Sequence, residues 1–530
     1  YQKFSKGPLL DRNDIDPYMT ASPCAWVEDS GLWRLWYMSN NSWSEGWAGE
    51  DPTLPRYHLR YAESDDGINW RREGVVAIDF KSDDEYAIGR PSVIHEDGIY
   101  KMWYCHRGET YRIGYAESDD GLNWRKPLLK VAERYGFKEN NVVFAGWPDA
   151  SGVEFGSVFI DPAARSEERY KMLYTANESR QRVFVPDLPW TREAGVLRGA
   201  YSSDGINWTR YQHNFLGEYC DSQNVATYDP VLGKYVAYIR GVAYSGGLVV
   251  GENPVKEGRQ GRAVARMESD DYKEWSYPEI VLSSDFHDGL GLDIYNNGYS
   301  RYEGAENAHF MFSSALHHRE GQWRPKVAVS RDNRTWVRPT REVFIPLGEP
   351  GSFDDSGISV APGFLPAGKD HLALYYRPYS LRKGTAIARF QRIRRQPARP
   401  AHLGRVVFKR DRIVGIEAGA EEGTFWTRPL EFQGRELVLN VEPTGPDPQL
   451  RVQLVCVETQ AGSPQGRASY EIDAVPQGYG FEDSVPLTRD ELDGVARWKA
   501  GAALGHLAGR PIRLHFRLKS LRIYAFQFVG

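Results

Sequence analysis

The stretch Tyr61–Trp70 reads YAESDDGINW, and it returns as Tyr115–Trp124, YAESDDGLNW. Shorter or more worn copies follow at Ala200–Trp208, Met267–Trp275 and Val329–Trp336. All five hold Ser, one residue, Asp, three residues, then Trp. The serines are Ser64, Ser118, Ser202, Ser269 and Ser330; the tryptophans are Trp70, Trp124, Trp208, Trp275 and Trp336. Strand-like residues precede each Ser. In the first three copies Asp-Gly marks a tight turn, because Asp bonds the turn backbone and Gly tolerates positive φ. The Trp opens the next strand and packs over the hairpin. Tyr272 and Asn333 replace the Gly, which predicts looser turns there. A motif copied five times is a repeat unit, so these Asp residues are read as structural.

Two further strand-like runs stand upstream of each hairpin, for example Pro91-Ser-Val-Ile94 and Tyr100-Lys-Met-Trp-Tyr104. A sixth unit, ending Thr385–Phe390, has the strands but no Trp hairpin. Strand-turn-strand repeats of this length predict the blades of a β-propeller. Inner strands count six blades and Trp hairpins count five, so five or six remain open. A propeller that lacks a strand in its last blade completes it from the other chain end, and Gln2–Leu10 is placed to do so. After Arg395 the texture changes. Residues 396–405, rich in Pro and Arg, read as a linker, and residues 406–530 alternate in the manner of a β-sandwich. The expectation is an all-β chain: a propeller over 1–395 and a sandwich after the linker. Thr488-Arg-Asp-Glu491 fits a capping box and predicts one short helix over 488–496.

Composition narrows the function classes. A formal charge of −5 over 530 residues and the lack of a long basic run exclude a general nucleic-acid binder. No run of 18 apolar residues exists to span a membrane. Cys24, Cys105, Cys220 and Cys456 are scattered, which predicts buried thiols rather than a zinc or disulfide framework. The chain starts at Tyr1 without Met, so the reading leaves the compartment open: soluble, and cytoplasmic or secreted after loss of a leader. Oligomeric state is not legible.

In a propeller the starts of the inner strands and the ends of the second strands converge on one pocket. Carboxylates stand before the inner strands: Asp14 and Asp16, Asp84 and Glu85, Glu154, Asp221, Asp293, and Asp354 and Asp355. At the second-strand ends stand Trp43, Arg107, Arg240, His317 with His318, and Arg377, and Arg90 opens the second inner strand. A ring of acids is costly unless paired or used. Two carboxylates across a sugar bond supply an acid and a base or nucleophile. Interleaved Arg holds neighbouring carboxylates ionised and binds hydroxyls or a substrate carboxylate. Trp43, Tyr295 and Tyr379 offer stacking faces. These positions vary in residue type from unit to unit, whereas a structural repeat copies the same residue. The partner expected is a carbohydrate. His317-His318 lacks a third ligand at recognisable spacing, so no metal site is assigned; no cofactor is expected, with room left for a structural divalent cation on the axis.

The SxDGxxW hairpins, the YKMWY-type second strands and the Asp-Pro pairs Asp161-Pro162 and Asp229-Pro230 resemble the arabinanase, levansucrase and invertase superfamily of β-propeller glycosidases over residues 1–395. The tail resembles the accessory sandwich of glycoside hydrolase family 32. The resemblance implies three acids from early blades: Asp16 as nucleophile or base, Glu85 as stabiliser, Glu154 as acid. Asp221, Asp293 and Asp355 are reserve acids if the blade register shifts. Trp43, Arg90, Arg107, Arg240, Tyr295, His317 and Arg377 are the expected substrate contacts. Asn-Asp-Pro-Asn-Gly is absent, Arg-Asp-Pro is reduced to Arg90-Pro91, and Glu-Cys is Glu154-Phe155. Two rivals stay open. Six blades with Arg107, Arg240 and Arg377 would suit a sialidase-like clamp on an anionic sugar with a nucleophilic Tyr such as Tyr295. A glycan-binding propeller without catalysis fits the same repeats.

Overall fold

The structure, a computed structural model, describes residues 2–3, 7–11, 14, 16, 19–43, 55–72, 74–79, 87–107, 111–132, 138–145, 150–178, 195–212, 224–244, 260–288, 291–380, 403–460, 469–472, 475–499, 501 and 503–530. These residues form an all-β protein whose described helical content is three single 3-10 turns. They divide into two compact bodies, residues 2–369 with 373–407, and residues 370–372 with 408–530.

The N-terminal body is a succession of antiparallel meanders. The first runs Met19–Val27, Trp33–Trp43, Pro55–Ser64 and Val76–Ile78. The second runs Ala87–Glu96, Ile99–Arg107, Tyr111–Ser118 and Val142–Phe144. The third runs Ala150–Ile160, Tyr170–Glu178, Gly195–Ser202 and Thr209–Arg210. The fourth runs Val225–Asp229, Lys234–Tyr244, Gln260–Ser269 and Glu279–Leu282. The fifth holds Leu292–Ile294, His309–His317 and Gln322–Ser330, with a bridge from Val329 to Val337. In the sixth, Gly357–Val360 pairs with His371–Tyr379, and Gly404–Lys409 and Gln2–Lys3 extend the sheet. Val406 and Val407 pair with Lys3 and Gln2, and Leu10 bridges Leu403. Gly404 and Arg405 therefore open a strand and do not end a linker; residues 396–402 lie outside the described residues, as does the expected strand Thr385–Phe390.

The repeat explains how one meander grips the next. In the first hairpin, Ser64 Oγ accepts from Gly67 N at 2.9 Å, and Asp66 Oδ1 accepts from Ile68 N and Asn69 N at 2.8 Å each. The second and third copies repeat these bonds. The turn carbonyl then takes two indoles. Gly121 O accepts from Trp124 of its own hairpin at 3.0 Å and from Trp36 of the preceding meander at 2.9 Å. Gly205 O accepts from Trp208 at 2.9 Å and from Trp103 at 2.7 Å. Trp36, Trp103, Leu173, Tyr238 and Phe312 hold one equivalent place, three residues beyond the partner of each repeat Ser. Tyr238 O–H reaches Asn333 O at 3.1 Å, and Tyr375 O–H of the sixth meander reaches Gly67 O of the first at 2.7 Å.

The turns at Tyr272 and Asn333 are not looser. Both residues take the left-handed φ of the glycines, 65° and 54°. Asp271 and Asp332 keep the same backbone acceptor bonds. At the fourth turn the preceding meander offers Leu173 where the first and second meanders offer Trp, and the Tyr272 ring fills that room, fully buried in one cluster with Leu173 and Tyr235. Packing outweighs the cost of positive φ there. Apolar clusters of this kind join the first meander to the second, the second to the third, the third to the fourth and the fourth to the fifth. Another joins Ala373, Tyr375 and Leu403 to Leu10, Trp33, Leu35 and Tyr37.

In the C-terminal body two four-stranded sheets share one core. One holds Ile416–Ala418, Leu521–Val529, Glu436–Pro443 and Glu491–Val495; the other holds Gly423–Trp426, Ile512–Lys519, Gln449–Gln460 and Ser469–Ile472. Inward residues alternate along Ile512–Lys519, and Leu437, Leu439, Leu454, Leu514 and Phe516 are buried together. The helix expected over 488–496 is absent: Val495 and Gly494 pair with Val438 and Leu439. A four-residue capping signal is local, and edge pairing to a buried strand overrides it. Cys24, Cys105 and Cys456 are free thiols, and burial pushes Cys24 up to about 11. Cys220 lies outside the described residues.

Candidate functional site

Of the expected site residues, Glu85 and Asp221 lie outside the described residues, as do the side chains of Trp43, Arg107 and Glu154. Arg90 sits at a bulge between Gly89 and Ser92 with φ 54°, a conformation uncommon outside Gly. The first and third inner strands carry the same irregularity, between Ala21 and Cys24 and between Glu154 and Ser157. Bulges re-aim side chains and are enriched beside active sites. Arg90 lies inside its bulge, and Glu154 is the last paired residue before the corresponding one.

Asp16, expected as nucleophile or base, is enclosed. It is 0% exposed. Its Oδ1 lies 2.6 Å from Arg60 Nε and accepts from the Ser39 hydroxyl. Its Oδ2 accepts from Tyr37 O–H at 2.7 Å and lies 3.4 Å from Arg72 Nη1. Asp354 is held in the equivalent way in the sixth meander, by Tyr376 O–H at 3.0 Å and Lys3 Nζ at 2.6 Å. The same acid–tyrosine pair thus recurs in the first and sixth meanders.

Three consecutive meanders bring other expected residues together. Asp293, on the inner strand of the fifth, is 5% exposed. Its Oδ2 accepts from Arg262 Nη1 of the fourth meander at 2.8 Å and lies 2.8 Å from His318 Nε2. A Cβ on Gly261 would stand 3.0 Å from Oδ1, so that glycine leaves the carboxylate its room. Burial alone pushes the Asp293 carboxyl up, but hydrogen bonding and charge from His318 and then Arg262 outweigh it and hold the group below the ordinary carboxylate range. Asp293 is therefore an anion at neutral pH.

Two residues on, the Tyr295 ring carries two guanidiniums, Arg240 at 4.8 Å and Arg262 at 5.0 Å. Arg240 Nη2 also donates to the Tyr295 carbonyl at 2.8 Å. Tyr295 meets Trp323 at 5.5 Å, Trp323 meets Tyr379 edge-on at 4.1 Å, and Arg377 lies 5.1 Å over Tyr379. Asp293, Arg240, Tyr295 and Arg377 thus belong to one cluster, spanning the fourth, fifth and sixth meanders. Arg377 makes no ion pair among the described residues.

Two expectations shift. His318, not His317, reaches Asp293; the His317 ring is held neutral by burial and then by the charge of Arg324. The Asp355 carboxylate makes none of these contacts among the described residues. It accepts from Gly351 N at 2.8 Å and Ser356 Oγ at 2.6 Å, and Asp355 lines a 310 Å³ cavity with Gln322, Arg324 and Leu347. Arg262 and Trp323 carried no sequence signal, because neither stands at a strand end where convergence was sought. Among the described residues no group of three or more His, Cys, Asp or Glu is placed to hold a metal, and no helix is long and apolar enough to cross a membrane.

No family model matches the chain. An uncharacterized protein of Mycobacterium tuberculosis, in strains CDC 1551 and H37Rv, is 40% identical over 127 residues. That alignment takes in 24% of this chain and 40% of the relative, so the chain spans two-fifths of the length of the curated relatives it matches. Solved structures similar to the chain include a Dyadobacter fermentans protein of unknown function, with 13% identity, 77% and 99% of the two chains covered, and a TM-score of 0.46. They include a glycosyl hydrolase from Bacteroides ovatus, with 13% identity, 78% and 95% covered, and a TM-score of 0.39. A member of the GH130 family of mannoside phosphorylases, described with hydrolases that target β-1,2 mannosidic linkages, shows 14% identity, 78% and 94% covered, and a TM-score of 0.39. Structural neighbours of the chain thus include glycoside hydrolases, and likeness at these scores carries no argument about its activity.

Proposed function

We propose that the chain is a glycoside hydrolase or transglycosidase of the propeller kind, with six meanders closed in a ring as blades, a β-sandwich as accessory domain, and a carbohydrate bound across the Asp293 cluster. One observation carries this reading. An anionic carboxylate, kept so by Arg262 and His318, stands beside a run of three aromatic rings drawn from two meanders. Tyr295, Trp323 and Tyr379 suit the apolar faces of sugar rings. An ionised carboxylate suits the nucleophile or base half of the glycosidase pair. The proton-donating half is assigned to Glu154, with Glu85 and Asp221 in reserve. The linkage to the arabinanase, levansucrase and invertase superfamily rests on the repeat hairpins, and preference for furanosides rests on that resemblance.

The test is turnover on a panel of chromogenic glycosides by the intact protein and Asp293→Asn. The variant keeps the size of the side chain, so the melting temperature should hold within a few degrees. Turnover should fall about 10²-fold or more. Unchanged turnover removes Asp293 from the reaction. Unchanged glycan binding with no turnover in either protein would favour the non-catalytic reading.

A second reading, an anionic sugar, is favoured by charge. Arg262 pairs with Asp293, Arg240 lies over Tyr295 and Arg377 over Tyr379 in the same cluster, and Arg377 has no acid partner among the described residues. Under it, Arg377→Gln should raise KM for uronides or nonulosonic sugars about tenfold while leaving neutral furanosides unchanged.

A further inference from the structure

The C-terminal body carries a feature that the reaction does not use. Trp426 ends the strand Gly423–Trp426, which lies at the edge of its sheet. It sits opposite His515 on the neighbouring strand, and the two rings stack at 3.7 Å with an interplanar angle of 14°. One face of the indole is thus covered by His515. The strand is the edge of its sheet among the described residues, and Trp426 is 43% exposed. An indole held flat at an edge by a ring behind it is pre-ordered, so a ligand stacking on it immobilises little that is not already fixed.

The charges around this plate share one sign. Arg513 and Arg517 flank His515 at alternate positions of Ile512–Lys519, which places all three on one face of the sheet, about 7 Å apart. Arg451 sits across from Arg517. Arg428 is exposed two residues beyond Trp426. Among the described residues these arginines make one ion pair, between Arg517 and Glu422 at 3.3 Å. Neither Arg428 nor Arg513 makes an ion pair among the described residues. The His515 ring nitrogens have no hydrogen-bond partner among the described residues, and burial, then Arg517, holds that ring neutral. A surface like this is poorly suited to a neutral apolar partner and well suited to a planar-faced anion.

We propose that Trp426, backed by His515 and bordered by Arg428, Arg513 and Arg517, is a second carbohydrate site that takes an acidic sugar chain, with a sugar ring on the indole and its neighbours' carboxylates on the guanidinium groups. A stacked ring and about one charge per residue of the ligand fit one aromatic plate among spaced arginines. A nucleic acid asks for successive stacking platforms and a dense basic groove, and the whole chain carries −5.

The experiment is affinity electrophoresis of the full chain in native gels containing polygalacturonate, or arabinan as the neutral control. Wild type should be retarded by polygalacturonate, with an apparent Kd at least tenfold tighter than for arabinan, and added salt should weaken the effect. Trp426→Ala should lose at least tenfold in affinity, Trp426→Phe should keep most of it, and Arg513→Gln should lose severalfold for polygalacturonate alone. Trp426 sits at an exposed edge and Arg513 on the neighbouring strand, and melting curves check that each variant folds. Absence of retardation, equal retardation by arabinan, affinity unchanged in both Trp426→Ala and Arg513→Gln, or tighter binding of single-stranded RNA would each overturn the proposal. Because it concerns a different surface, it stands or falls independently of Asp293→Asn turnover.

Discussion

Asp16 and Asp293 are both buried carboxylates with a guanidinium at hydrogen-bond distance, yet their neighbours separate them. Asp16 is closed in by Tyr37, Ser39, Arg60 and Arg72. Asp293 shares its cluster with aromatic rings and with Arg262, itself a third exposed. Removing the charge of Asp16 leaves two guanidiniums without their acid, so Asp16→Asn should cost about 3–5 kcal/mol of stability by denaturant titration. A carboxylate before each inner strand is legible in the sequence; which one is enclosed is not, because Ser39, Arg60 and Arg72 come from other strands. Beside Asp16, His58 is 2% exposed. Burial, then the charge of Arg60, lowers its pKa to about 4. Its unfolded value lies near 6.5, so the unfolded chain takes up the proton first as pH falls. The stability associated with neutral His58 is full above about pH 6.5 and is lost on the way down to about pH 4, to the extent of about 3 kcal/mol. His58→Gln should flatten that window in a series of melts from pH 7 to pH 4, while the steeper loss from paired carboxylates at lower pH remains.

At the scale of the hairpin, the repeat predicts its own turn well. Ser, Asp and Gly bond within a few residues of one another, and such local bonds are what sequence spacing reports. It does not report that the turn carbonyl is the docking point for the preceding meander, because Trp36 and Trp103 stand far away in the chain. Nor does it report that Tyr272 keeps the tight turn, since its ring is accommodated by Leu173 in another meander. The close approach makes a graded prediction. Gly205 and Gly233 both have positive φ, 77° and 64°. A Cβ at Gly233 meets nothing within 4 Å, whereas at Gly205 it would stand 2.5 Å from the Trp103 ring. Gly233→Ala should cost about 1 kcal/mol, the backbone term alone. Gly205→Ala adds displacement of a buried indole and should cost about 2–4 kcal/mol. Equal costs in urea titrations would mean that the Trp103 contact gives way freely.

Across the N-terminal body, the described hydrogen bonds from one meander onto the turn carbonyls of another run in one direction. Trp36 reaches Gly121, Trp103 reaches Gly205 and Tyr238 reaches Asn333, each from one meander into the next. Tyr375 reaches Gly67, from the sixth into the first. The first residues of the chain add to that last joint. Lys3 and Gln2 pair with Val406 and Val407, Leu9 N donates to Leu403 O at 2.7 Å, and Leu10 is buried beside Tyr375. Lys3 Nζ lies 2.6 Å from Asp354, a carboxylate 1% exposed. The sequence placed a strand from Gln2–Leu10 here by asking what an unfinished unit needs, but the buried ion pair depends on coordinates. Deleting residues 1–10 removes the burial of Leu10, about 2 kcal/mol, and leaves Asp354 without its cation, about 3 kcal/mol or more. The loss should come to about 5 kcal/mol, seen as a lower denaturant midpoint. Lys3→Gln should reproduce the ionic part, and Tyr375→Phe should cost about 1 kcal/mol for one neutral hydrogen bond. If the truncated chain instead unfolds at the wild-type midpoint, the joint between the sixth and first meanders does not hold the body together, and a closed ring of six is the wrong description of it.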